Sequence, residues 1–250
     1  MVGVFFVEAE GDIRVSVASR GLGDEYERQV LLLCMSFLAL IWSFSIKEPT
    51  TAPHSQGQLE PLLPILKKPV VAAFFGIEFI LLFSHAPFYS FYSNFLKQAG
   101  YSTTEIGFLW AVGVMAEIIM FAIAHIFFKR FSWRLMVSIC LILTALRWFM
   151  VGSFPQIFAV QFFAQTIHAF SFGLFHLIAM RIIFQNFSLG QQGRGQALYS
   201  TMWGLGVASG SILAGHYWHS LSGEHIFILA GCAVLLGLGF VRYLPKEVQA

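Results

Sequence analysis

Seven stretches of this chain are each long and apolar enough, if helical, to cross a lipid bilayer. No other feature narrows its fold as much. A bilayer core about 30 Å thick takes about 20 helical residues. Segments near Gln29–Ile46, Pro69–Phe95, Thr104–Phe128, Trp133–Gly152, Pro155–Phe187, Gly195–Trp218 and Glu224–Leu244 meet that demand, the first being the shortest. Spans of a β-barrel would be about 10 residues of alternating polarity, and these runs are longer and evenly apolar. The fold class is therefore all-α: a polytopic transmembrane helical bundle. Composition agrees, since only 11% of the 250 residues are charged and 57% are hydrophobic, with 28 Phe and a mean hydropathy of +0.73. A soluble domain carries about 25% charged residues, so almost every cytosolic enzyme class is excluded. The net charge of +2 comes with no basic block of the kind that binds nucleic acid.

Loop charges give an orientation. Lys47, Lys67, Lys68, Lys129, Arg130, Arg134, Arg194, Arg242 and Lys246 fall on one side, against Lys97 alone in the short loops opposite. The positive-inside rule then makes the carboxyl terminus cytoplasmic and puts Ser93–Thr103 outside. Residues 1–28 are Gly-rich and charged, with acidic residues where a secretory signal has a basic region. They read as a non-membrane leader, and one hypothesis is that it is non-native, from a shifted frame or wrong start, joined to a genuine membrane protein. Residues 47–68 are polar, with Pro49, Pro53, Pro61 and Pro64, and link one isolated span to six closely connected ones. A long cytoplasmic linker before a compact six-helix unit is how one transporter half is joined to another.

Ionisable residues inside apolar spans are costly and are functional candidates by default. Here they are Glu78, His85, Glu117, His125, Arg147, His168, His176 and Arg181. Depths at 1.5 Å per residue put Glu78 roughly 14 Å, Glu117 roughly 16 Å and His168 roughly 20 Å from the ends of their helices. All three lie near the midplane, with Arg147 closer to the outer face. Gln161, Gln165, His168 and Phe172 recur at helical spacing and share one stripe, which should point at protein or water. A carboxyl in an apolar cavity can gain and lose a proton near neutral pH, histidine titrates there unaided, and arginine keeps its charge. Such a set could couple proton movement to solute binding, or simply form interhelical hydrogen bonds. His125, His176 and Arg181 read as structural, the last able to snorkel.

Other signals are weaker. Tyr89, Tyr92 and Asn94 suit an outer aromatic belt better than a cavity wall. Gly204, Gly206, Gly210 and Gly215 suit close helix packing. Cys34, Cys140 and Cys232 lack CxxC spacing and read as buried, inert thiols. His216, His219 and His225 have only Glu224 as an acidic neighbour, so no metal site is expected; no cofactor and no catalytic set is indicated.

Three strings together carry a resemblance: GVMAEIIMF (113–121), LTALRWF (143–149) and QTIHAFSFGLFH (165–176), with GRGQALYSTMWGLGVASG (193–210) matching in style. From Gln29 to Leu244 the chain resembles the phenylpropionate-permease-like branch of the major facilitator superfamily, which is related to lactose permease and the nucleoside–proton symporters. The resemblance is to the carboxyl-terminal half only. It implies secondary active transport of a small organic solute across a bacterial inner membrane, by proton-coupled symport. It also implies that residues 69–250 form one six-helix half and that Gln29–Ile46 is the last helix of the other. Arg147 and His168 match the arginine and histidine of the lactose-permease proton network. The carboxylate expected three residues further on is replaced by Ser171, which leaves Glu117 as the substitute proton carrier. The loop FFKRFSWR keeps basic residues without the full loop motif of the superfamily. The candidate substrate and proton-coupling residues are Glu117, Arg147, His168, Glu78, Gln165 and Gln161. The expected partners are the lipid bilayer, the solute with protons, and a missing amino-terminal half or a second copy. The alternative is a membrane module that packs with a partner subunit and transports nothing alone.

Overall fold

The computed structural model describes residues 30, 33–38, 40–44 and 61–246. The chain divides into two units, Met1–Ser55 and Gln56–Ala250. In the first, residues 33–38 and 40–44 are helical, the type expected for the first span. The proposed leader and most of the linker lie outside the described residues. The linker's last residues form a short helix, α1 (Leu62–Leu66).

The second unit is built from long helices whose ends follow local sequence. Helix α2 (Pro69–Gln98) begins with a proline at its first turn, where no backbone N–H is needed. It ends at Gly100, whose φ of 97° is open to glycine at little cost, so the Tyr101 N–H can turn back to the Leu96 carbonyl. Helix α3 (Thr103–Arg130) starts in a capping box in which Ser102 and Glu105 satisfy each other's backbone N–H. Helix α4 (Trp133–Ser153) is capped by the Ser132 hydroxyl. Next comes a composite helix: α5 (Phe158–His168), a π-helical stretch (Ala169–Leu174) and α6 (Phe175–Asn186). Helices α7 (Gln192–Leu235) and α8 (Leu238–Val241) complete the fold.

Among the described residues, five helical stretches are long and apolar enough to span a membrane, the last running 53 residues from Leu189 to Val241. Straight, that last stretch would be about 80 Å long. It is broken at Ser222, where φ is 60° and ψ is 156°, and the chain reverses there. Before the break α7 climbs α2 in parallel. Gly206 meets the Phe79 carbonyl and Leu82, Gly210 meets Phe83 and Ala86, and Trp218 stacks on Phe91 at 4.5 Å. After it, Phe227 lies against Phe95 at 5.1 Å, Gly231 against the Ala145 carbonyl, and Phe240 on α8 against Gly76. The two arms of α7 therefore run in opposite directions along α2, and the break falls between the sixth and seventh stretches named from the sequence.

The reversal forces glycine at the contacts. A Cβ on Gly206 would lie 2.8 Å from the Phe79 carbonyl oxygen, and one on Gly210 would collide with that of Phe83. Phe83 is the residue whose carbonyl loses its helical partner, because Pro87, four residues on, has no N–H. Gly204 and Gly215 do not share this role: Gly204 faces open space and Gly215 only touches Phe91. The other small-residue seam joins α4 to the second arm of α7, where Gly152 abuts the Glu224 carbonyl.

Burial corrects two readings. Cys140 is buried, but Cys34 and Cys232 are exposed; an apolar run in lipid leaves one helix face outward, so apolar surroundings in sequence do not guarantee a protein interior. Tyr92 is fully buried and bonded to another helix rather than sitting in an outer belt. It projects inward because Phe88 and Phe95, on the same face of α2, are core residues. Helix α3 is the least enclosed span, presenting Phe108, Val114, Met115, Ile118 and Phe121 outward, a large apolar face suited to lipid or another helix.

At the basic end, Arg134 on α4 donates through Nε to the Leu244 carbonyl at 2.5 Å, and a second guanidinium nitrogen donates to the carbonyl of Arg242. These bonds tie the end of the last pass to the start of α4. Arg134→Ala should loosen that end by about 1–3 kcal/mol. Limited trypsin digestion would then cut at Arg242 and Lys246 faster than in the unaltered chain, and equal cutting rates would contradict the tie.

Candidate functional site

The buried polar residues of the bundle converge on Arg147. Its side chain has no solvent exposure, and α4 holds it between aromatic faces, 4.2 Å from the Phe88 ring centre and 4.4 Å from that of Trp148. One guanidinium nitrogen lies 2.8 Å from His168 Nδ1 and 3.4 Å from Ser171 Oγ; the other donates to Gln165 Oε1 at 3.1 Å. His168 Nε2 in turn lies 2.6 Å from Glu117 Oε1. An arginine can only donate, so His168 Nδ1 accepts, and its proton sits on Nε2, pointing at Glu117. The three groups form a directed chain: Arg147 to His168 to Glu117. His168 is 7% exposed as a residue, and the Glu117 side chain is 17% exposed. The chain thus starts in the interior and ends at the rim of the bundle.

Local structure explains how three helices meet so closely. Glycines thin the contact: a Cβ on Gly113 of α3 would press on Gln165 Oε1 at 3.1 Å, and one on Gly173 would rest 3.6 Å from the Glu117 Cα. Directly after His168 the helix widens into the π-helical turn Ala169–Leu174. Single π-helical turns inside α-helices occur often at functional sites. This one turns Ser171 toward Arg147 and keeps Phe172 stacked on His168 at 5.5 Å.

A supporting layer surrounds the chain. Gln161, lower on the same stripe, accepts from the Tyr92 hydroxyl at 3.3 Å and donates to the Phe154 carbonyl at 3.1 Å. Trp148 Nε1 donates to Ser84 Oγ at 3.3 Å, and the His85 ring lies 4.9 Å from Trp148 and 6.0 Å from His168. Half-buried rings lead away from the site: Phe172 stacks on His176 at 6.2 Å, and Tyr89 lies 6.0 Å from Trp203.

Of the six candidates from sequence, the structure joins Glu117, His168, Arg147 and Gln165 directly. Gln161 stands beside them, bonded to Tyr92 and the backbone. Glu78 makes no hydrogen bond to any of them. Straight-helix depths placed Arg147 toward the outer face, but its side chain is long enough to reach the level of His168. Sequence reasoning passed over Ser84, assigned Tyr92 to the outer belt, and took Ser171 only as standing where relatives carry a carboxylate. The four-residue spacing of Phe88 and Tyr92, with Trp148 beside Arg147, was the available signal. Among the assigned structural residues, His176 bonds the Tyr199 hydroxyl at 3.0 Å and Arg181 lies 4.9 Å from the Phe128 ring. His125 bonds the carbonyl of Ala122 in its own helix. Among the described residues no group of three or more His, Cys, Asp or Glu could hold a metal ion.

Arg147→Lys tests the fork. A lysine cannot bond Gln165 and His168 together in that plane, so the protein should lose about 3 kcal/mol of stability, read as a lower Tm in detergent. An unchanged Tm would show that the fork is dispensable.

Family comparison gives this bundle of long apolar helices a class: residues 15–229 match the MFS_1 like family. The chain belongs to that family of major facilitator transporters, a class of multi-pass membrane proteins and not of enzymes. Over 175 residues it is 34% identical to the probable 3-phenylpropionic acid transporter of Escherichia coli (strain K12), an alignment covering 67% of this chain and 43% of that relative. The phenylpropionate-permease-like resemblance in the sequence is thereby borne out. The chain spans less than half the length of the curated relative it matches. No solved structure matches it.

Proposed function

We propose that this chain is the carboxyl-terminal half of a proton-coupled permease for a small organic acid. Its setting is the bacterial inner membrane, and its carboxyl terminus is cytoplasmic. The six passes of residues 69–250 form the half, and Gln29–Ile46 is the last helix of the half before it. A missing amino-terminal half, or a second copy of the chain, closes the solute site, since transporter sites lie between repeats. The observation that carries the reading is the directed bond chain from Arg147 through His168 to Glu117.

The chemistry follows from charge balance. With Glu117 ionised, its carboxylate accepts from neutral His168 and offsets the charge of buried Arg147. A proton arriving on the free Glu117 oxygen removes that offset. Arg147 is then left as the uncompensated positive charge nearest the site, so an anionic solute binds more favourably to the protonated form. Release of the solute lets Glu117 ionise again, and proton and solute move together. The relative's name, a 3-phenylpropionic acid transporter, supports an aromatic monocarboxylic acid as the first solute to test. The half-buried rings of Phe172, Tyr89 and Trp203 would face its apolar part.

The test is a pH-indicator measurement on vesicles holding the chain together with the amino-terminal half of the Escherichia coli relative. Adding 3-phenylpropionate outside should alkalinise the medium as solute enters. Solute entry with no pH change would overturn the coupling.

A further inference from the structure

Glu78 stands apart from the site just described. It has no solvent exposure, and neither carboxyl oxygen has a hydrogen-bond partner. One helical turn away on either side are Phe74 and Leu82, themselves buried. The surrounding core is apolar, with Ile77, Leu81 and Phe175 in the same cluster. No charged group among the described residues faces it from any packed helix. The titratable groups within its electrostatic reach are the hydroxyls of Tyr89, on its own helix, and Tyr199, on α7.

An ionised carboxylate stripped of water, cation and donors is the most costly state a side chain can adopt in such a core. A neutral carboxylic acid is the form the core tolerates. Two polar side chains, Tyr199 and His176, stand between this core and the first site. The Tyr199 ring stacks on Phe74 at 6.4 Å, its hydroxyl bonds His176 at 3.0 Å, and His176 lies within electrostatic reach of Glu117. We infer that Glu78 is a second proton-binding site, filled in this conformation and separate from Glu117. Filling it forms one O–H bond on the carboxylate and breaks one in the hydronium ion that donates the proton, leaving a water molecule. Emptying it requires a conformation that brings water or a donor to α2. Its use in transport rests on the proton-coupling reading above; its occupancy does not.

Infrared spectroscopy of the purified chain in lipid separates the two. At neutral pH the spectrum should contain the carbonyl band of a neutral carboxylic acid. That band should be lost in Glu78→Gln and retained in Glu117→Gln. Glu78→Leu guards against misfolding: replacing a neutral buried acid with an apolar side chain should leave Tm unchanged or raised. A band that survives Glu78→Gln, or a Tm that collapses in Glu78→Leu, would overturn the inference. The vesicle pH measurement on the unaltered chain decides the coupling reading independently, because it fails or succeeds whatever the band shows.

Discussion

On the proposed coupling, a Glu117→Gln chain assembled with the amino-terminal half of the Escherichia coli relative should fold and bind solute but no longer carry protons with it. Gln keeps the size of the side chain and can still accept from His168 Nε2, now at 2.6 Å from Glu117 Oε1, so the three helices stay joined. What is lost is the only group in the directed chain that can take up and release a proton without breaking it. Positioned proton transfer by one side chain contributes about a hundredfold or more. Solute-driven proton uptake should therefore fall by at least about that factor. Exchange of labelled solute, which needs no net proton movement, should persist. Glu117→Asp keeps a carboxyl and should restore part of the proton flux. Undiminished proton uptake in the Gln variant would remove Glu117 from the mechanism.

A stability effect as large as that of Arg147→Lys should come from one methyl group. Gly210→Ala places a Cβ against the Phe83 carbonyl and Ala86, where backbone and not a movable side chain stands in the way. Helices α2 and α7 must separate, at a cost of about 3 kcal/mol. Gly204→Ala, two turns earlier on the same helix, meets nothing within 4 Å and should be neutral or slightly stabilising. Size-exclusion profiles after a heat ramp would separate the two: a clear drop in the melting temperature for Gly210→Ala, none for Gly204→Ala. Equal behaviour would mean that the seam does not hold the hairpin.

Much of this architecture was legible because lipid imposes a length on every span. The starts at Pro69 and Trp133 and the gap between Trp218 and Glu224 were readable, and the chain does reverse inside that gap, at Ser222. The stripe Gln161, Gln165, His168 was readable from helical spacing alone. The meeting of Arg147 with His168 was not, because it depends on how α4 is rotated against α5 and on the reach of a long side chain. The π-helical turn after His168 was invisible for a related reason: AFSFGL has no proline, and its one glycine, Gly173, sits against Met120 and Glu117 of α3, a contact that local sequence does not display. Tyr92 was misread as belt because its place near a helix end outweighed its neighbours Phe88 and Phe95, which point the same way. The separation of Glu78 from the cluster was hidden too, since depth along the membrane says nothing about which helix a side chain faces.

Pro87 has a mechanical consequence. The Phe83 carbonyl it leaves unpartnered inside α2 is covered by nothing stronger than the backbone of Gly210. Bending α2 at that level has one fewer intrahelical hydrogen bond to strain, which makes it a soft point along the helix. Glu78 lies on one side of that joint, Tyr92 and the Gln161 contact on the other. A flexed α2 would swing the isolated acid relative to Phe88 and Tyr92, the residues of the same helix that pack on Arg147 and Gln161.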